Sequence, residues 1–468
     1  MYTLPRDYEI DARLIRKIID YGKSKNDKFN NLKNYYLGHH DICKRDKDGT
    51  LKNNKVMINH AKYIVDTNVG YLLGNPVEYQ ASEEFDIQPL LDIYKKNVIT
   101  DLDVELCKDI GIYGVQYEYI YAGDDSLPKS VELDNRNIVL VKDDTVEHKE
   151  LFAIMYRPVY KGEEKKDKIQ YWDVKYITDK FIRDYRLEGQ NLTQVSEDIP
   201  HVFKGVPVIE YKNNPEMLGD FETVISLIDA YNLLQSDRVN DKEQLVDAIL
   251  CFYGVDFQAE QTQDLKEHRV ISRIPVDGKV EYLVKQLNEA DTDVLRQTIE
   301  ADIHKISMVP NITDQNFVGN ASGVAIRYKL LGFEQNIKNK ERYFEKGLMK
   351  RFELYNNFLS TKSAMAIVPK EEVDVIFKRN LPSNDFEISQ MINNLSGIVD
   401  KETLVGQLSF IKDAKEIVEL AEKENEVDDK TLNDDVFKFN DVADAARYGV
   451  NKDVKDKVND EKQGVLAE

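Results

Sequence analysis

The segment SMVPNITDQNFVGNASGVAIRYKLLGFEQNIKNKERYFEKGL, residues 307–348, decides how the chain is read. Pro310 cannot continue a helix, so the apolar-periodic run before it stops there. A loop from Asn311 to Asn320 follows, with several amides and a single charge, Asp314. Ser322, a residue type that caps helix N-termini, opens a long helix whose Val324, Tyr328, Leu331, Phe344, Leu348, Phe352 and Tyr355 form a buried face. Between Val324 and Arg351 this helix carries Arg327, Lys329, Lys338, Lys340, Arg342, Lys346, Lys350 and Arg351 against three acids. Such a helix either faces phosphate or presents a solvated, partly paired surface. The loop before it either touches nucleic acid without gripping it or simply connects.

Two helical segments lead into this stretch. One begins at Phe221 and carries Leu227, Tyr231, Leu234, Leu245, Ala248, Ile249 and Phe252; the other covers 292–308 with Leu295, Ile299, Ile303 and Ile306. Between them lies a short αβ excursion with apolar strands over 270–274 and 280–284. Two helices bracketing a small knob predict a hairpin-like stalk. Further upstream, strands are expected over 117–121, 137–141, 151–160, 169–176 and 181–187, where β-branched and aromatic residues alternate with turn residues. Helices are expected over 84–111, over 56–73 up to Gly74-Asn75-Pro76, and twice between Tyr8 and Leu37, with Gly38 as the stop. Downstream, 373–377 reads as a strand, and Ile388, Met391, Ile392, Leu395, Leu404, Leu408, Ile417, Val418 and Ala421 as a helical terminal region. From Glu422 acids prevail and apolar residues thin out, so the tail over 431–468 is expected to be partly disordered. The fold class is α+β.

A chain of 468 residues is too long for one hydrophobic core, and 42% hydrophobic residues with 26 tyrosines give it ample surface to bury. Acids outnumber bases 85 to 64, a formal charge of -21, which disfavours an ordinary DNA binder that neutralises phosphates. The same balance suits a conduit that DNA must slide through. Cys43, Cys107 and Cys251 are too scattered for a disulfide framework or a zinc knuckle, and a reducing host cytoplasm is the expected place of assembly. The N-terminal MYTLPRDYEIDARL lacks the apolar core of a signal peptide, no apolar run suffices to span a bilayer, and no membrane partner is expected.

Chemical motifs are fragmentary. Gly22-Lys23-Ser24 matches the end of a phosphate-binding loop, but Lys17 stands where its first glycine should be. His148 and Glu150 form an H-x-E without the cysteine pair a zinc deaminase needs. His39, His40, Asp41 and Cys43 are adjacent without any reason to converge on a metal, and Asp46 and Asp48 before Gly49 lack the other ligands of a calcium loop. No catalytic residue, metal site or cofactor is assigned.

NNKVMINHAKYIVDTNVGYLLGNPVEY (53–79), GDFETVISLIDAYNLLQSDRVND (219–241), NASGVAIRYKLLGFE (320–334) and RNLPSNDFEISQMINNLSGIVDKETLVGQL (379–408) together resemble the portal proteins of tailed phages, in the branch common in long-tailed phages of Gram-positive bacteria. The resemblance implies a homo-oligomeric ring, usually a dodecamer, at one capsid vertex, through which double-stranded DNA is packaged and ejected. It implies a wing over 1–220, stem helices over 221–252 and 291–309, a clip over 253–290, a tunnel loop over 310–320, a long helix and strand of the wing over 321–378, and a helical crown over 379–430. It further implies contacts with the terminase large subunit, the head-tail adaptor, the scaffold and the major capsid protein, and residence in the virion. Asn311, Thr313, Gln315, Asn316 and Asn320 are then the groups expected to approach DNA, with Lys329 and Lys338 as further DNA-facing candidates. Rival readings are a capsid or scaffolding protein without a channel and a metal-dependent nuclease.

Overall fold

The computed structural model describes residues 1–47, 52–162, 168–246, 249–253, 278–283, 289–312, 328–362, 367–379, 385–406 and single positions up to 423. Helices and largely antiparallel sheets alternate along an α+β chain that divides into two compact units, Met1–Asn380 and Leu381–Glu468.

The first unit opens with β1 (Tyr2–Leu4), α1 (Ala12–Lys23) and α2 (Asn26–Leu37). The side chain of Asp11 caps α1 by accepting from the Leu14 amide at 2.7 Å, and Gly38, at φ 88°, ends α2 in the left-handed conformation that glycine adopts freely. Next come α3 (His60–Leu73), β2 (Glu78–Ala81), α4 (Gln88–Lys96) and α5 (Ile99–Tyr113). The single helix expected over 84–111 is therefore two. Asn97 turns aside to donate to the Pro128 carbonyl at 2.7 Å, and Val98 takes φ 52°. The helix expected from Val56 begins instead at His60, for a reason given below.

The β-rich body consists of β3 (Val115–Ala122), β4 (Pro128–Leu133), β5 (Ile138–Asp143), β6 (Glu150–Tyr160), β7 (Ile169–Ile177), β8 (Phe181–Glu188), β9 (Asn191–Gln194), β10 (Ile199–Pro200) and β11 (Val208–Lys212). Among the described residues the largest sheet runs β1-β5-β6-β7-β8-β10 with β9 also on β8, and β3 lies between β11 and β4 in a second sheet. Every strand expected from the pattern in this region is present. The ones missed are short or lie at sheet edges, and a strand of two to five residues offers too few positions for an alternation to stand out. Helix α1 lays Ile15, Ile18 and Ile19 on Val139, Val141, Phe152 and Ile154 of the large sheet.

Helix α6 (Ile225–Val246), β12 (Ile249–Tyr253), β13 (Lys279–Leu283), α7 (Glu289–Ser307), α8 (Leu331–Lys362) and β14 (Val373–Ile376) complete the unit. The first stalk helix thus ends at Val246, short of the expected 252. Ile249–Tyr253 pairs antiparallel with Lys279–Leu283, and a short apolar run such as ILCFY is compatible with helix or strand until its partner is known. The strand expected over 270–274 lies outside the described residues.

Helix α8 crosses the main core. Its buried stripe runs through Phe333, Ile337, Lys340, Phe344, Leu348, Arg351, Phe352 and Tyr355, preceded by Leu330. Phe344, Leu348, Phe352 and Tyr355 lie where the spacing puts them, whereas Tyr328 and Leu331 are 76% and 52% exposed. The stripe passes through Leu330 and Phe333, which turns those two outward; Val324 lies outside the described residues. Arg351 is fully buried, with Nη1 at 2.5 Å from Asp103 and Nε at 2.8 Å from Glu118, which also accepts from Tyr211 Oη at 2.6 Å. Burial pushes the Asp103 carboxyl up to about 6 against the opposing pull of Arg351. Lys340, equally sequestered, pairs with Asp220 at 2.7 Å.

In the second unit, α9 (Asp385–Leu395) precedes α10 (Lys401–Val405), which Asp400 caps by accepting from the Thr403 amide at 2.9 Å. The tail over 431–468 lies outside the described residues.

Arg351→Leu leaves two carboxylates buried without their cation and should destabilise the fold by about 3–5 kcal/mol. Denaturant unfolding of the variant beside the parent measures the loss.

Candidate functional site

Helices α6 and α7 pack on one another. Tyr231 Oη of α6 lies 3.5 Å from Glu300 Oε2 of α7, and Arg238 Nη1 reaches Asp293 Oδ1 at 3.8 Å. At one end of the pair Phe221, Val224, Ile228, Tyr231 and Ile303 join the main core. Beyond that end, Leu233, Val239, Val294 and Leu295 are exposed, and Ile306 is exposed on the outer side of the core end itself. The pair is acidic: α6 carries Asp229, Asp237, Asp241 and Glu243 against Arg238 and Lys242, and α7 carries Glu289, Asp291, Asp293, Glu300 and Asp302 against Arg296 and Lys305.

Between Tyr231 and Glu243, what α6 buries is polar. Asn232, Ser236 and Asn240, each one turn apart, point at the extended segment 54–58. Asn232 Oδ1 accepts from the Ile58 amide at 2.9 Å, Ser236 Oγ from the Val56 amide at 2.9 Å, and Asn240 Oδ1 from the Asn54 amide at 2.8 Å. Asn232 Nδ2 donates to His40 Nδ1 at 2.8 Å, which leaves Nε2–H of the same ring to donate to the Tyr35 carbonyl at 2.9 Å. With their N–H groups taken by side chains of α6, residues 54–58 stay extended. Helix α3 then starts only after Asn59, whose Oδ1 accepts from the Lys62 amide at 2.9 Å. Sequence reasoning missed this ladder, although its four-residue spacing was visible, because Asn and Ser on a helix read as a solvated face.

At the core end of α7, His60 is sealed against Tyr231, ring centroids 4.9 Å apart, and against His304, 5.9 Å apart. Burial, together with the neighbouring His304, pushes the His60 imidazole down to about 4.

Of the residues expected to approach DNA, Asn311 is described, and its Nδ2 donates to Glu300 Oε1 at 3.1 Å. Thr313, Gln315, Asn316 and Asn320 lie outside the described residues. Lys329 and Lys338 are exposed, whereas Lys340 and Arg351 of the same basic helix are buried in ion pairs. The motif fragments have structural explanations. A Cβ on Gly22 would collide with the Tyr156 hydroxyl, so glycine is there for helix-sheet contact. His148 lies in the turn after β5 and donates from Nδ1 to the Asp143 carbonyl at 3.2 Å. Asp41 pairs with Lys44 at 2.7 Å while His40 turns into the core. Among the described residues no group of three or more His, Cys, Asp or Glu is placed to hold a metal, and no helix is long and apolar enough to cross a membrane.

Asn232→Leu removes the acceptor for Ile58 and the donor to His40, both buried, and should cost about 2–3 kcal/mol, with faster amide exchange at 56–58. Denaturant unfolding and hydrogen-exchange mass spectrometry read the two effects. Because the folded-state pKa of His60 lies below its ordinary value of 6.5, the unfolded chain takes the proton first. The contribution of His60 is complete above pH 6.5 and is lost as pH falls toward 4. His60→Phe should therefore abolish about 2 kcal/mol of the stability difference between pH 7 and pH 5, seen as a flatter pH profile of unfolding.

Residues 15–431 match the family described as phage portal protein, SPP1 Gp6-like. The portal protein of Bacillus phage SPP1 is 27% identical over 94% of this chain and 93% of its own length. That of Clostridium phage phiCD119 is 22% identical over 92% of this chain and 100% of its own length. Matched in one continuous span over most of its length, the chain belongs to the SPP1 Gp6-like phage portal protein family.

Proposed function

We propose that copies of this chain close into a ring, a dodecamer by resemblance, around a channel for double-stranded DNA at the capsid vertex. The observation that carries the reading is the α6–α7 pair, which exposes Leu233, Val239, Val294, Leu295 and Ile306 while burying asparagines. Heterologous contacts repeated about an axis cover such a face and close when the rotation permits. In this reading residues 1–220 and 321–378 form the wing, α6 and α7 the stem, the residues between them the clip, 379–430 the crown and 431–468 a tail. The acid excess on the stem helices fits a wall that repels sliding phosphates.

The loop over 310–320 is the tunnel loop. Thr313, Gln315, Asn316 and Asn320 approach DNA, Asn311 stands at the loop's root, and Lys329 and Lys338 lie close enough in sequence to face phosphate. The role is mechanical: the terminase large subunit hydrolyses ATP, and this chain docks it together with the head-tail adaptor, the scaffold and the major capsid protein.

Electron micrographs of the purified protein should show closed rings. Val294→Asp combined with Leu295→Asp puts charge into the covered face and should leave folded monomers by mass photometry. Deleting 315–318 should leave rings intact and stop packaging. Purified protein that stays monomeric and folded at packaging concentrations would overturn the reading.

A further inference from the structure

The chain leaving α7 is held at successive residues by side chains from two helices, α7 itself and α3. Met308 takes φ 57°, a conformation that a residue other than glycine keeps only where its surroundings impose it. Val309 behind it is fully buried, and its carbonyl accepts from His304 Nδ1 at 2.9 Å. Tyr63 Oη, from α3, donates to the Pro310 carbonyl at 2.8 Å and accepts from the Ile312 amide at 3.2 Å. Asn311 Nδ2 donates to Glu300 Oε1 at 3.1 Å, and the other oxygen of Glu300 accepts from Arg296 Nη1 at 2.8 Å. One phenol thus satisfies a carbonyl and an amide two residues apart, and one carboxylate ties the residue between them to the stalk.

We infer that Tyr63, with Glu300 and Asn311, forms a clasp that sets the direction in which the chain leaves the stalk after Ile312. They are positioning residues for the loop proposed above to approach DNA, and the inference rests on that reading of the loop. A mere connector between α7 and α8 could leave these main-chain groups to water, since the Ile312 side chain is itself half exposed. Instead they are claimed by a residue of another helix. Helix α3 is a firm base for the clasp: Ala61, Ile64 and Val65, which flank Tyr63, have no exposed surface. Through Tyr63 the root of the loop is therefore fixed to the wing and not only to the helix it leaves.

The test uses the full chain assembled as rings. Tyr63→Phe keeps the ring contact of Tyr63 with His304 but removes both bonds of the hydroxyl. Rings should still form, amide exchange at Ile312 should quicken roughly tenfold, and packaging should fall by about the same factor or more. Unchanged exchange at Ile312, or quicker exchange with packaging at the parent level, overturns the clasp. Should Tyr63→Phe fail to assemble, a donor–acceptor exchange decides. Asn311→Asp sets two carboxylates against each other and should impair packaging, and adding Glu300→Gln should restore it. A double variant no better than Asn311→Asp alone overturns the inference. Deletion of 315–318 separates the two readings: packaging that survives the deletion sinks the tunnel loop itself, whereas packaging lost there but intact in Tyr63→Phe sinks only the clasp.

Discussion

An α-helix advances about 6.0 Å in four residues, and an extended chain about 6.6 Å in two. The near match lets Asn232, Ser236 and Asn240 on one stalk helix meet the amides of Ile58, Val56 and Asn54 in turn. The consequences spread outward from that coincidence of spacings. Segment 54–58 is held extended, α3 is compelled to begin at His60, and Tyr63 falls one turn into that helix, beneath the end of α7. Shifting α3 one residue earlier would rotate Ala61, Ile64 and Val65 out of the core and Tyr63 away from the loop root.

Charge is arranged with the same economy. The chain as a whole is strongly acidic, yet the helix that crosses its core is basic, and two of its cations are used internally. The planar guanidinium of Arg351 suits two carboxylates converging from α5 and β3, because its donors lie in a fixed fork. Lys340 meets a single carboxylate, for which a point charge suffices. A buried ion network of this kind adds little net stability, since desolvation offsets most of the attraction, but it is costly to break. What it contributes is specificity: the long helix has one register in which both cations find their partners.

The α+β class, the strands of the β-rich body, the two stalk helices and the glycine that ends α2 were legible because each leaves a local signature of period or backbone conformation. The errors occurred where a distant residue decides. The run from Ile249 is apolar enough for either secondary structure until Lys279–Leu283 pairs with it. Residues 56–59 look like the first turn of a helix, and only Asn232 and Ser236, far along the chain, keep them extended. Tyr328 and Leu331 mimic the stripe of α8 one position out of phase. Of the site, the stop of the second stalk helix before Pro310 could be read directly, whereas the partners of Asn311 could not, because Glu300 and Tyr63 resemble ordinary members of their helices.

Between Tyr231 and Glu243, helix α6 inverts the usual arrangement of a helix on a protein surface. Its inward stripe is amide and hydroxyl, and its outward positions include Leu233 and Val239, flanked on α7 by Val294 and Leu295. Single exposed apolar residues are common and need no explanation. An inverted helix does, because in a monomer the apolar residues would be better placed inside and the amides outside. The inversion is favourable when both sides are covered, the polar side by the chain's own backbone and the apolar side by another subunit. The hydrogen bonds inside then fix the rotation of α6 about its axis, and that rotation determines which apolar residues a neighbour meets. In the proposed ring the ladder would serve assembly as well as folding, because it gives the exposed face a definite orientation before any second subunit arrives.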